Sequence, residues 1–431
     1  MQTFYKVDAR HFGASTCVGV LLHVYDVIVV GAGPAGSMIA YEMARSGYRT
    51  LLLEKFSIPR EKACGGAAMY RGLRLIGPSF PRHLVEREIY GLRFRFSDGT
   101  AAEFTSDRLL GVTTERARFD EFLARRAEQA GAELREKTRV IGVQLYPSDV
   151  EAVTEGGSSV RARFLVGADG ASSTVARATG LRPHRKDLNR AGLGMESVVE
   201  IGEDRVIEAL GGNPSVLEIY PVEGRVSYGW VFPRKTSLAV GIAGAASHMS
   251  SLRSLFDSFV SGVERRLGFR LPILKRRVSF LGADGHRQTN VFHRVILVGD
   301  AAGFVDPMMG EGISYAMRSS LLAADVLREA LDSDHNADAT LAKYDSLCKK
   351  TFAADFSIAS WAGMRGTGFA RSLLNKASEM KFSSEIMAAV ARGEMGYSDI
   401  PPRVILRLPY HLPRLIREYI SDHLASTRSR N

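Results

Sequence analysis

Cysteine is scarce in this chain. Its 431 residues contain three, Cys17, Cys64 and Cys348, widely spaced and with no Cys-x-x-Cys pair. That odd count argues against a disulfide framework and fits a reducing cytoplasm. Long apolar runs are missing as well. Nothing approaches the ~20 apolar residues of a membrane span. The stretch 18–30 is broken by His23 and Asp26 and lacks a small-residue cleavage site. Residues 1–24 therefore read as a short extension or an over-long start, not as a signal peptide. The ten histidines form no His-Glu-x-x-His and pair with no cysteine, which argues against metal catalysis. No Gly-x-Ser-x-Gly follows a strand, which argues against a serine hydrolase. Zinc-finger spacings, RNA-recognition signatures and long Lys/Arg blocks are absent, so nucleic acid is not an expected partner. The net charge is nevertheless +10, from 57 Lys+Arg against 47 Asp+Glu. It reads either as ordinary for a basic globular protein or as attraction to anionic lipid or an anionic substrate.

What is present is a large apolar fraction, 45%, in a chain long enough for two or three domains. The sharpest local signal starts at Tyr25. Residues 25–30 are an apolar run that reads as a buried strand. Gly31-Ala32-Gly33-Pro34-Ala35-Gly36 follows as a tight turn, residues 37–46 as a helix with Gly47 at its end, and residues 50–54 as a second strand. A Gly-x-Gly-x-x-Gly between strand and helix has a physical reading. The first glycine makes the turn, the second lets backbone approach a pyrophosphate, and the third lets helix and strand pack closely. The helix start adds unpaired N–H groups and partial positive charge for phosphates. Glu54 closes the second strand, 18 residues after Gly36, where a carboxylate can accept ribose hydroxyls.

Further along, a strand at 92–96, a turn at Asp98-Gly99 and a helix at about 118–130 are expected. Residues 164–170 read Phe-Leu-Val-Gly-Ala-Asp-Gly, followed by Ser173 and Arg177. Segments 216–220, 226–232 and 238–242 alternate like the strands of an antiparallel sheet. Residues 295–298 form another apolar strand, entering Gly299-Asp300-Ala301-Ala302-Gly303 and then Pro307 to Gly312. A long helix is expected from near Gly312 to about Leu331, and residues 336–431 look mostly helical and basic. The segment Gly241-Ile242-Ala243-Gly244 follows a strand but lacks a third glycine, so no second dinucleotide fold is expected.

The fingerprint, the 164–170 segment and the 295–312 segment together resemble the para-hydroxybenzoate hydroxylase-like superfamily of FAD enzymes. The resemblance implies that Asp300 binds the ribityl chain, and that the 307–312 loop brings backbone N–H groups to the pyrimidine edge of the flavin. A glycine-rich loop opening a helix stabilises the negative charge of reduced flavin. It also implies that Arg116, three residues before Phe119-Asp120, lies near the cofactor phosphates. Plainer readings stay open: Asp300 as a helix cap, Asp169 as a turn residue, Arg116 as a surface arginine.

Two more segments narrow the resemblance. Lys62-Ala63-Cys64-Gly65-Gly66, and Tyr228-Gly229-Trp230-Val231-Phe232-Pro233, are similar to those of the geranylgeranyl reductase family, as are Gly312-Ile313 and Ala316-Met317. That family saturates prenyl double bonds. Where it usually has a proline three residues before the tyrosine, this chain has Arg225. The fold class expected is α/β, α+β overall. Residues 25–80, 110–182 and 281–335 would form a Rossmann-type FAD-binding domain. Residues 81–109 and 183–280 would form an antiparallel-sheet substrate domain, and residues 336–431 a helical region.

The expected cofactor-binding set is Gly31, Gly33, Ala35, Gly36, Glu54, Lys55, Cys64, Gly65, Arg116, Asp169, Gly170, Asp300, Pro307, Gly310, Gly312 and Ile313. The expected catalytic set is Cys64, Tyr228 and Trp230. Cys64 reads as a redox partner, a proton donor or an inert packing residue. Tyr228, Trp230 and Phe232 share one strand face, either the wall of an isoprenoid tunnel or a packed core. No acid stands out among them. Electrons would come from NAD(P)H or a small carrier, and the substrate would be an isoprenoid or another apolar molecule. The alternatives are a flavin monooxygenase or halogenase, and a non-catalytic electron-transfer flavoprotein. The chain's two tryptophans, Trp230 and Trp361, do not form the Trp doublet of the halogenases. Six arginines and many aliphatics in residues 402–431 fit either an anionic membrane surface or packing on the enzyme's own core.

Overall fold

Six strands in one layer carry the nucleotide half. Their order is Val291–Phe292, Val295–Leu297, Ser159–Gly167, Tyr25–Val30, Thr50–Leu53 and Glu133–Arg135, with the hairpin Val140–Leu145/Val150–Thr154 continuing from Ser159–Gly167. Four of the five pairings in this order are parallel, Val291–Phe292 being the antiparallel exception. A parallel sheet is covered on both faces, which is why Val27, Ile28 and Val29 are all fully buried. The coordinates are a computed structural model that describes residues 25–182, 191–222, 227–282, 284–333, 337–364, 371, 374, 375, 377, 378 and 381–401. The 1–24 extension and the 402–431 tail lie outside the described residues.

The first helix is Pro34–Arg45, starting three residues before the expected 37. Proline has no N–H to leave unpaired at a helix start, so Pro34 opens the helix without penalty. The helix packs against Arg116–Gln129 and Ile313–Asp332.

The second sheet has seven strands, in the order Arg277–Gly282, Ala191–Glu200, Ser237–Ala245, Ser227–Pro233, Val216–Pro221, Gly91–Arg95 and Ala101–Thr105. It is antiparallel, as expected, except that Val216–Pro221 runs parallel to Gly91–Arg95. Between those two strands the chain leaves to build part of the first sheet, so no hairpin has to join them. Gly241 lies inside the strand Ser237–Ala245, not after one. One face of this sheet packs on the helix Leu252–Leu267 through Val231, Val240, Phe256 and Val260. The opposite face carries a cross-strand row of Glu196, Gly241, Trp230, Ile219 and Phe94.

Ala67–Met69, Gly111–Thr113 and Arg87–Ile89 form a small third sheet. The C-terminal helices close the assembly. Ala337–Met364 buries Tyr344, Cys348, Phe352 and Phe356 in the core of the nucleotide half. Lys381–Arg392 buries Ala388 and Ala391 against Phe94, Phe96 and Ile219 of the second sheet.

Candidate cofactor and substrate cavity

A cavity of about 1130 Å³ runs from the Gly31–Gly36 turn to the C-terminal helices, between the two large sheets. That exceeds the ~300–1,000 Å³ of an ordinary small-molecule pocket. At the turn each glycine does separate work. Gly31 sits at φ +103°, and a Cβ there would come 2.5 Å from the Ala168 carbonyl oxygen. Gly36 is pressed against the Gly31 carbonyl and does not line the cavity; a Cβ there would collide with that oxygen. Gly33 faces open space, with Arg60 the nearest group at 3.6 Å from a Cβ position. The helix begins at Pro34 with no side chain capping it, so its first N–H groups are available to a phosphate.

Glu54 is buried at the end of its strand. It accepts N–H bonds from Ala32 at 3.0 Å and Phe56 at 3.1 Å, and pairs with Arg60 at 3.2 Å. Arg60 also reaches Asp120 at 3.1 Å, and Asp120 holds Arg116 in a two-pronged pair at 2.9 and 3.0 Å. Arg116 is buried and interacts with the Cys64 side chain, so the surface-arginine reading is excluded. Arg60 was missed by sequence reasoning, since a single arginine beyond a strand carries no local signature. Lys55 lines the same wall, and burial lowers its pKa.

Asp169 does two things. One oxygen accepts N–H bonds from Thr174 and Val175, capping the helix Thr174–Ala178; the other is buried on the cavity wall without a partner among the described residues. Burial raises its pKa against the pull of Ser173 and the helix N–H groups. Gly170 takes φ +80° beside it. Asp300 lines the cavity in the first turn of Gly299–Ala302. The 307–312 loop is held by Asp306, which accepts N–H bonds from Met308 at 2.8 Å and Met309 at 2.9 Å. Pro307, Gly310, Gly312 and Ile313 all face the cavity, and Ala35 does so from across it.

Cys64 and Gly65 border the cavity on the side of the second sheet. Gly65 is a glycine because a Cβ would stand 2.7 Å from the Phe232 ring and 2.9 Å from the Trp230 Nε1. Gly66 takes φ +80° against the Thr114 carbonyl. Tyr228, Trp230 and Phe232 all line the cavity. Tyr228 donates its hydroxyl to the Met309 carbonyl at 2.7 Å, tying the sheet to the 307–312 loop. The Trp230 Nε1 is buried with no partner among the described residues. Beyond these rings the wall is apolar: Leu92, Phe94, Leu217 and Ile219 from the sheet, and Ile358, Leu374, Met387 and Val390 from the C-terminal helices. Sequence reasoning had assigned no site role to those helices. Nor had it found Glu196, whose signal was a carboxylate within the apolar strand Ala191–Glu200.

Comparison with known proteins agrees with this arrangement. Residues 26–94 match the family of FAD dependent oxidoreductases, and residues 88–245 match the FAD binding domain family. The digeranylgeranylglycerophospholipid reductase of Methanocaldococcus jannaschii is 30% identical over 338 residues, spanning 76% of this chain and 83% of that protein. A geranylgeranyl bacteriochlorophyll reductase-like protein from Thermoplasma acidophilum shares the fold. Its TM-score is 0.74 at 23% identity, over 89% of this chain and 98% of that one. A myxobacterial chondrochloren halogenase superposes with a TM-score of 0.61 at 22% identity, over 79% of this chain and 83% of that one.

Proposed function

The chain belongs to the geranylgeranyl reductase family of FAD-dependent oxidoreductases, and from that premise we propose that it saturates carbon–carbon double bonds in the prenyl chain of a lipid. The observation that carries the proposal is the continuity of one cavity, from a dinucleotide turn to an apolar arm walled by Phe94, Ile219, Trp230 and Met387. Each five-carbon isoprene unit buried in such an arm contributes roughly 4 kcal/mol, at about 0.8 kcal/mol per carbon. A flat polar substrate gains little there.

The residues at the other end suit FAD. Gly33 leaves the turn open, the helix start offers uncapped N–H groups, and one Asp169 oxygen has no partner among the described residues. In this reading the Gly33–Pro34 helix start and Arg60 take the phosphates, and Glu54 takes the ribose hydroxyls. Asp300 takes the ribityl chain, and the 307–312 loop receives the flavin edge. When bound, FAD supplies the two electrons as a hydride. The chain's own part is to exclude water with Trp230 and Phe232, and to hold the loop in place through Tyr228. The thiol of Cys64 would stand beside the ring, where Cys64→Ser tests it. An unchanged flavin spectrum and turnover would assign it to packing.

The electron donor would be NAD(P)H or a small carrier visiting the cavity. Contact with a bilayer from the cytoplasmic side is part of the proposal. Leu274, Val278 and Phe280 stand exposed on and before the edge strand Arg277–Gly282, whose alternate residues Ser279 and Leu281 line the cavity. Among the described residues no helix is long and apolar enough to cross a membrane.

The test is anaerobic. The flavin is reduced, a geranylgeranyl lipid is added, and absorbance of oxidised flavin is followed. Reoxidation without oxygen is the expected result. A flavin that stays reduced until oxygen enters, then passes through a hydroperoxide-like absorbance, would overturn the reading in favour of a monooxygenase.

A further inference from the structure

Saturating an isolated double bond needs an acid as well as a hydride; the aromatic strand contains no carboxylic acid, and its Tyr228 hydroxyl is donated to the Met309 carbonyl at 2.7 Å. The second sheet supplies one from a neighbouring strand. Glu196 lies on Ala191–Glu200, paired with Gly241, which is itself paired with Trp230. The Trp230 indole covers Gly241, so it leans across toward Glu196. Glu196 is 2% exposed, yet it lines the cavity. Among the described residues its Oε2 is buried with no hydrogen-bond partner, as is the Trp230 Nε1. The backbone N–H of Cys64 faces the carboxyl group.

Three guanidinium groups surround it: Arg234 beyond the strand Ser227–Pro233, Arg277 on the edge strand, and Arg116 on the helix Arg116–Gln129. Two of these have carboxylates of their own. Arg277 pairs with Glu61 at 2.8 Å, and Arg116 pairs with Asp120. Glu115 also faces Arg277. Burial therefore outweighs the surrounding positive charge, and the Glu196 pKa is raised. Other acids on the wall lie away from the aromatic strand's cross-strand row. Glu54 and Asp306 accept backbone N–H bonds, Asp169 keeps one oxygen on a helix start, and Glu311 accepts the Ser314 N–H at 2.8 Å and faces Arg71 at 3.8 Å, whereas Glu196 alone of these stands in the row with Gly241 and Trp230.

We propose that Glu196 is the proton donor in saturation of the double bond, an inference that rests on the prenyl-reductase reading. The step balances as follows. One alkene carbon gains a hydride from the reduced flavin, which is oxidised. The π pair takes the Glu196 proton at the other carbon, two C–H bonds replace the π bond, and the O–H bond breaks. Glu196 is left as a carboxylate and regains a proton from water.

The experiment uses the flavin-loaded protein and its Glu196→Gln and Glu196→Asp variants. Reoxidation by a geranylgeranyl lipid should slow at least about a hundredfold in Glu196→Gln, the usual range for a lost general acid. Glu196→Asp should keep part of the rate. Reoxidation by ferricyanide, which takes electrons alone, should be unchanged in both. An infrared pH titration of the oxidised, substrate-free protein gives a second readout: a protonated-carboxyl stretch at neutral pH that Glu196→Gln removes. A wild-type lipid rate in Glu196→Gln, or a wild-type-minus-Glu196→Gln infrared difference that holds no protonated-carboxyl band, overturns the assignment of Glu196 alone. A wild-type protein that ferricyanide reoxidises and the lipid does not overturns the prenyl reading, and this inference with it.

Discussion

At the scale of single residues, the site is an interlock of glycines and rings. Gly65 and Gly241 are small because Trp230 and Phe232 fill the space a side chain would need. Gly65→Ala has to push the Phe232 ring or the Cys64 loop aside. Overpacking of this kind costs about 1–3 kcal/mol. We expect a lower unfolding midpoint and faster loss of FAD on dilution, and a variant with wild-type melting and retention would remove this explanation. Some of the interlock was legible in the sequence. Gly31, Gly33, Gly36 and Glu54 act within one local β-α-β unit, so spacing alone reveals them. Arg60 meets Asp120 of a later helix and Glu196 reaches the cavity from a strand far along the chain, and no local pattern marks which buried carboxylate will be left without a partner.

At the scale of elements, the helix Ala337–Met364 is docked by a short turn, Gly285–Arg287. The His286 ring lies against Phe356 with centroids 5.3 Å apart. Burial, reinforced by Arg287, lowers the His286 pKa to about 4. Its folded value is thus below the ordinary 6.5, and the unfolded chain binds the proton first as pH falls. The stability it contributes is fully present above pH 6.5 and is lost as pH drops toward 4. Denaturant melts at stepped pH should show that slope, and His286→Gln should flatten it. An equal slope in both proteins would place the acid sensitivity elsewhere. The second helical contact, Tyr397 donating to Asp306 at 2.7 Å, ties the chain's last described turn to the loop assigned to the flavin. Helical character in this region was readable from composition. Its docking was not, because helix periodicity reports which face is apolar but not what covers it.

At the scale of the whole molecule, the cavity is shared by two sheets and a helical cap, and none of these parts encloses it alone. Leu274, Val278 and Phe280 stand exposed on and before the edge strand whose Ser279 and Leu281 line it, and the proposed bilayer contact is assigned to this face. Replacing Leu274 and Phe280 by aspartate should weaken sedimentation with anionic vesicles while leaving the flavin spectrum intact. Equal sedimentation of variant and parent would move membrane contact away from this face. The two-sheet plan was legible, since the Rossmann fingerprint and the alternating 216–242 segments differ in period. The parallel neighbour of Val216–Pro221 was not, because register between distant strands depends on chain crossings that no local window contains.

Those crossings also set a clock. Tyr25–Val30 finds its neighbour in Ser159–Gly167, which in turn finds its own in Val295–Leu297. At ribosomal speeds of about 5–20 residues per second, the first strand waits on the order of 13–53 s before the last of these emerges. During that interval Val27, Ile28 and Val29, fully buried in the finished protein, belong to a sheet without its far side. That apolar surface lacks its full cover until residue 297 has left the ribosome, and slowing translation after residue 170 would lengthen the interval.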